Sequence, residues 1–200
     1  MSQTKTQLIA ADATFTLSSD ITINSVSVGK GANSVAGNTV LGETALDTNV
    51  SGGNNTAIGQ AALTANTTGN NNIAVGSGAL DANTTASNNT AVGMNCLSTN
   101  TTGSENVAIG QAALTANTTG DKNTAVGRLS LQQNSTANNN TALGYDSLAA
   151  NTTGSNNTAV GSDALLTNTT GVQNNAFGRQ ALDANTTGNH NSAFGVNTLG

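Results

Sequence analysis

Glycine recurs every 17 residues from Gly42 to Gly195 without a slip. Leucine follows each of these glycines by four residues, from Leu46 to Leu199, and asparagine precedes each by four, from Asn38 to Asn191. The stretch "AIGQAALTANTTG" at 57–69 returns letter for letter at 108–120, three periods later. The template is N-T-A-V-G-x-x-A-L-x-x-N-T-T-G-x-N. A fixed short period marks a repeat architecture, and common helical repeats need about 33 residues or more per unit. Seventeen residues are too few for two helices and a turn, but they suffice for one β-solenoid coil of two short strands and two turns. The expected fold class is therefore all-β: a parallel β-solenoid (β-roll) of 17-residue coils.

Composition supports that choice. Aromatic residues make up 2% of the chain and charged residues 8%, so no single aromatic-rich core can form. Disorder is disfavoured because the apolar pattern keeps register to the residue while net charge is only −5. Five Lys and Arg in 200 residues give no footprint for nucleic acid. No run of 18 apolar residues suggests a membrane span, and "MSQTKTQLIAADATFTLSSD" lacks the apolar segment of a secretion signal. Proline is absent, which suits a chain that pairs along its whole length.

Side chains alternate sides along a strand. In "NTAIG" (55–59), Ile58 therefore points opposite to Ala57. The always-large column Ile58, Val75, Val92, Ile109, Val126, Leu143, Val160 and Phe177 is expected inside. Leu63, Leu80, Leu97, Leu114, Leu131, Leu148, Leu165 and Leu182 are expected to form a second interior wall. The small column Ala57, Ala74, Ala91, Ala108, Ala125, Ala142, Ala159, Ala176 and Ala193 is then left facing out. An apolar strip of that kind is expected to pack against another chain; the alternative is a coil so narrow that Ala57 is also inside. Gly59 and its column are expected to need positive φ or close backbone approach. Asn66-Thr67-Thr68-Gly69 makes the other turn, and stacked Asn55, Asn72 and Asn89 are expected to hydrogen-bond their side-chain amides up and down the stack as an asparagine ladder. At 4.7–4.9 Å per coil, ten coils make a rod on the order of 45 Å long.

"NNTAIG" (54–59), "NNIAVG" (71–76), "NNTAVG" (88–93) and "ENVAIG" (105–110) resemble the N-S-V-A-I-G repeat in the heads of trimeric autotransporter adhesins of the YadA type. That resemblance covers residues 38–200 and implies a left-handed roll with three chains side by side. The family's coil is usually shorter and lacks "ANTTG". The longer form is similar to repeats in tail and virion fibres of bacteriophages, cyanophages among them. This second resemblance implies a homotrimeric structural fibre on a virion, supporting attachment to a host receptor. The alternatives are a bacterial surface adhesin with the same coil, at the cell surface, and an ice-binding solenoid using Thr67 and Thr68.

Residues 1–37 fall outside the repeat. "ATFTL" (13–17) and "ITINSVSVG" (21–29) are expected to be two strands joined by a turn, with Phe15, Leu17, Ile21 and Ile23 facing a core. Such a unit closes the first coil, and by family analogy it contacts other virion proteins. The chain stops mid-repeat, so a longer fibre or another chain is expected to cover the last coil. No catalytic, cofactor-binding or metal site is expected. His190 and Cys96 are each the only one of their kind, Asp47, Asp81 and Asp183 share one column, and Asp146 and Asp163 share another. The column after the repeat glycine varies, with Gln60, Met94, Arg128, Tyr145 and Arg179; it is a candidate for host contact or simply drifting surface.

Overall fold

The computed structural model describes residues 20–200, so the strand expected at 13–17, with Phe15 and Leu17, lies outside the described residues. One twelve-stranded sheet runs the length of the molecule in chain order. It opens with a hairpin, β1 (Ile21–Ile23) and β2 (Val26–Gly29), followed by a short 3₁₀ turn at Ala32–Ser34. The stack then follows with β3 (Thr39–Gly42), β4 (Thr56–Ile58), β5 (Ile73–Val75), β6 (Thr90–Val92) and β7 (Val107–Ile109). It continues with β8 (Thr124–Val126), β9 (Thr141–Leu143), β10 (Thr158–Val160), β11 (Asn175–Phe177) and β12 (Ser192–Phe194). From β3 onward every pairing is parallel and in register one period apart, as in Ala57↔Ala74 and Ala108↔Ala125. The chain is an all-β solenoid of 17-residue coils.

Each coil has one regular strand rather than two. The second wall, around Gln60–Ala65, carries positive φ at Ala61 (56°) and Leu63 (53°), which is not β geometry. It still bonds from coil to coil: Leu63 N–H donates to Ala79 C=O at 3.0 Å, Ala61 N–H to Glu43 C=O at 2.9 Å, and Ala65 N–H to Asp81 C=O at 2.9 Å. A left-handed leucine costs roughly 1–2 kcal/mol. Leu46 through Leu165 are wholly buried, and burying such a side chain contributes roughly 1.5–3 kcal/mol. Burial thus offsets the strain, but only where neighbouring coils supply it.

The expected inside and outside of the strand are reversed. Ala57, Ala74, Ala91, Ala108, Ala125, Ala142, Ala159 and Ala176 have no exposed surface and Ala193 has 3%; they belong to the core and cannot contact another chain. Ile58, Val75, Val92, Val126 and Val160 are half-buried, while Ile109, Leu143 and Phe177 are exposed; they form no interior ladder. The physical reason is width. The leucine wall already fills the coil, and a second large column opposite it would overpack the interior. Alanine on one wall against leucine on the other is what fits. Leu63, Leu80, Leu97, Leu114, Leu131, Leu148, Leu165 and Leu182 do lie inside.

Two asparagine columns complete the interior. Asn55 Oδ1 accepts the backbone N–H of Asn72 in the next coil at 2.9 Å, and its Nδ2 donates across the coil to Gly69 C=O at 2.9 Å. The Asn66 column is the true amide ladder: Asn66 Nδ2 donates to Asn49 Oδ1 at 3.0 Å, and Asn83 Nδ2 to Asn66 Oδ1 at 2.9 Å. Unpaired buried amides would be costly; here each coil satisfies the next. At Gly59, φ is 129° and a Cβ would lie 2.6 Å from the carbonyl oxygen of Gly76. This turn therefore excludes side chains on both conformation and space.

The segment 21–29 is a hairpin in itself. Asn24 (φ 49°) and Ser25 (φ 69°) form a two-residue turn of the kind that joins twisted strands. Its outward Ile21 and Ile23 are exposed rather than core-facing. Asp20 ties the hairpin base, its carboxylate accepting the N–H groups of Lys30 and Gly31, both at 2.6 Å.

Candidate interaction face

Register decides which side chains share a face. Val28 pairs with Leu41, and Ile21 with Val28, across antiparallel ladders. Leu41 pairs with Ile58, Ile58 with Val75, and so on to Phe177 with Phe194. Directly paired residues point the same way, so the column from Ile21 through Val28 and Leu41 runs unbroken from hairpin to stack, with Ile23 and Val26 flanking it on the side of Glu43. Two side chains from each of twelve strands give 24 positions on this outward face. None is charged; the second column is large and apolar in every coil, while the first is Thr, Asn or Ser in eight of ten coils, with Ile73 and Val107 the exceptions. Among the described residues, ten of the fifteen exposed large hydrophobic side chains lie on this face, from Ile21 and Ile23 to Phe177 and Phe194. At its far end Phe177 and Phe194 stack with centroids 5.0 Å apart and planes 1° from parallel.

Sequence reasoning found these residues and misplaced them. The signal that could have placed them was the asymmetry between columns. A column that tolerates Ile, Val, Leu and Phe is not constrained by a narrow interior, whereas one restricted almost wholly to Ala is.

The column after the glycine forms a ledge beside the face. Met94, Gln111, Arg128 and Tyr145 occupy four consecutive coils, bracketed by the small Ser77 and Ser162; all four are exposed. Arg128 Nε donates to Gln111 Oε1 at 3.1 Å and its Nη1 to Tyr145 Oη at 3.2 Å. The guanidinium carbon also sits 5.6 Å from the centre of the Tyr145 ring. Gln60 and Arg179 are exposed in the same column but lie outside this cluster.

The remaining chemical groups stay apart. Among the described residues no three His, Cys, Asp or Glu side chains gather as a metal-binding group, and no helix is long and apolar enough to cross a membrane. His190 is exposed at φ 60°, a left-handed turn position held by Asn in half of the coils. Cys96 is buried, its Sγ donating to the Gly110 carbonyl, and burial pushes its thiol up. Burial also raises the Asp81 carboxyl, only partly countered by backbone N–H groups; its Oδ1 has no hydrogen-bond partner. Asp146 and Asp163 occupy left-handed turn positions. Thr67 Oγ1 donates to the Thr84 carbonyl at 2.9 Å, as Thr84 does to Thr101, so the Thr68 column is the exposed one of the pair. The asparagine of each "NTT" from Asn66 to Asn168 is buried and bonded, closed to glycan attachment in the folded chain.

No protein-family model, curated protein or solved structure matches the chain.

Proposed function

We propose that the chain is a rigid structural segment of a virion fibre, assembled as a homotrimer whose chains meet through the apolar outward face. The observation that carries this reading is the large apolar column of that face, unbroken from Ile21 through Val28 and Leu41 to Phe194 over twelve strands. Contiguous apolar patches of this extent mark interaction sites rather than solvent surface. Its 24 outward side chains, sixteen of them apolar and the rest small and uncharged, fall within the roughly 20–30 residues per side of a stable interface. A second copy in register presents an equally long, equally straight apolar strip, which few unrelated partners would match. The threefold number and the virion setting follow from the repeat's resemblance to phage fibres. In that setting residues 1–37 attach to other virion proteins, and the rod holds a host-binding region away from the particle. The fold supports a mechanical role because successive coils are bonded through strand, leucine wall and asparagine columns.

Sedimentation equilibrium of the purified chain tests the reading. The expected mass is three times the 19.6 kDa of one chain. Val92→Lys combined with Val126→Lys places two charges on the face and is expected to give folded monomers, since neither side chain enters the core. A monomeric parent chain would sink the proposal. A double variant that stays trimeric would move the interface elsewhere.

A further inference from the structure

We infer that the ledge of Gln111, Arg128 and Tyr145 is a binding site for an acidic saccharide. Both hydrogen-bond partners of Arg128 are neutral groups, so among the described residues no contacting carboxylate cancels its charge. Guanidinium has five N–H donors; two are committed, which leaves three, including both on Nη2. A guanidinium edge of this kind grips a carboxylate through paired hydrogen bonds. The cation is also held in place. Gln111 fixes one side, Tyr145 Oη the other, and the tyrosine ring contacts the guanidinium at cation–π distance. Less side-chain freedom is therefore lost when a ligand binds.

The flanking groups fit the rest of a sugar. The Gln111 amide offers both a donor and an acceptor to hydroxyl groups. Tyr145 is 46% exposed and has only Ser162 in the next coil, so the ring face turned away from the Arg128 guanidinium remains available to the apolar face of a pyranose. Met94, 47% exposed, extends the ledge by one coil. Four coils at the strand spacing span about 14 Å, the reach of a short oligosaccharide. Tyr, Arg and Met are also the residue types enriched where proteins bind partners. Gly127 alone separates Arg128 from Val126 on the apolar face, so the ledge flanks that face without being part of it. The inference does not require the oligomer.

The test uses the full chain and alginate, a uronic-acid polymer, with neutral dextran as comparison, measured by isothermal titration calorimetry. Alginate is expected to bind, more weakly as salt rises, and dextran is not. Arg128→Ala is expected to weaken binding at least tenfold and Tyr145→Ala several-fold. Arg179→Ala, which removes an equal charge three coils away in the same column, is expected to change it less than twofold. Sedimentation of the same samples separates this outcome from that of the proposed assembly. Alginate that binds no better than dextran overturns the inference, as does equal weakening by Arg128→Ala and Arg179→Ala.

Discussion

Ala108→Val tests the layout of the coil by the sign of its effect. Valine favours strands over alanine by up to about 1 kcal/mol where the side chain has room. If Ala108 faced outward, the substitution would stabilise the chain. Ala108 instead has no exposed surface, pairs in register with Ala91 and Ala125, and shares its buried cluster with Leu114. Two added methyl groups there overpack a filled site, at a cost of about 1–3 kcal/mol. The chain contains its own control. The same column holds Val40, only 2% exposed, at the first coil, where its partner on the hairpin side is Gly29 with no side chain. Valine fits only where a neighbour is missing. With a urea m-value on the order of 2 kcal/mol/M, the unfolding midpoint followed by circular dichroism should fall by about 0.5–1.5 M. Ile109→Ala removes a side chain that is 39% exposed in the isolated chain. On the charged-face double variant, to exclude assembly, it should cost roughly 1–1.5 kcal/mol at ~0.8 kcal/mol per buried methylene. An unchanged or raised midpoint for Ala108→Val would refute the inward placement of alanine.

Three further outcomes follow from particular bonds and torsions. Lys122 stands at φ 59° and is exposed in a column held by Asn in half of the coils; Lys122→Asn should stabilise by a few tenths of a kcal/mol, because asparagine tolerates this conformation better, and a lowered urea midpoint would contradict that. Asn106→Ala removes the acceptor of Asn123 N–H, bonded at 2.9 Å, and of Asn123 Nδ2 at 3.2 Å, although that amide keeps its bond to Ala137 C=O and the Gly120 carbonyl keeps its bond from Asn117; the orphaned buried backbone donor alone should cost roughly 1–3 kcal/mol, and exposed Asn139→Ala should cost less. Burial raises the Asp81 carboxyl above its ordinary value of 3.8, so the folded chain holds that proton more tightly than the unfolded chain. Its contribution to stability is present below 3.8 and is lost as pH rises through the folded value. Asp81→Asn should therefore stabilise at neutral pH and lose that advantage on acidification; a pH-independent difference would count against the burial effect.

The repeat alone makes the architecture legible. Glycine, leucine and asparagine at a fixed period established a stack of 17-residue coils, because only a structure in which each coil is the floor of the next keeps such strict register. The interior leucine wall and the need for Gly59 were readable from their invariance, whereas the amide ladder expected at Asn55, Asn72 and Asn89 lies in the Asn66 column, the Asn55 column accepting backbone N–H groups instead. Strand alternation was readable too, since Ala57 and Ile58 must point opposite ways. The sequence alone did not decide which of them points in. Hydrophobic size favours Ile58, but that preference assumes an interior wide enough to hold it. Coil width depends on how Leu63 enters from the far wall, and it enters from a left-handed backbone conformation stabilised only by the coils above and below. The hairpin at Asn24-Ser25 and the grouping of Gln111, Arg128 and Tyr145 also waited on the tertiary structure. Residues 17 apart in the chain become neighbours only once the coils are stacked. Periodicity thus determined that the chain is a solenoid, and packing volume decided which of its columns meets the outside.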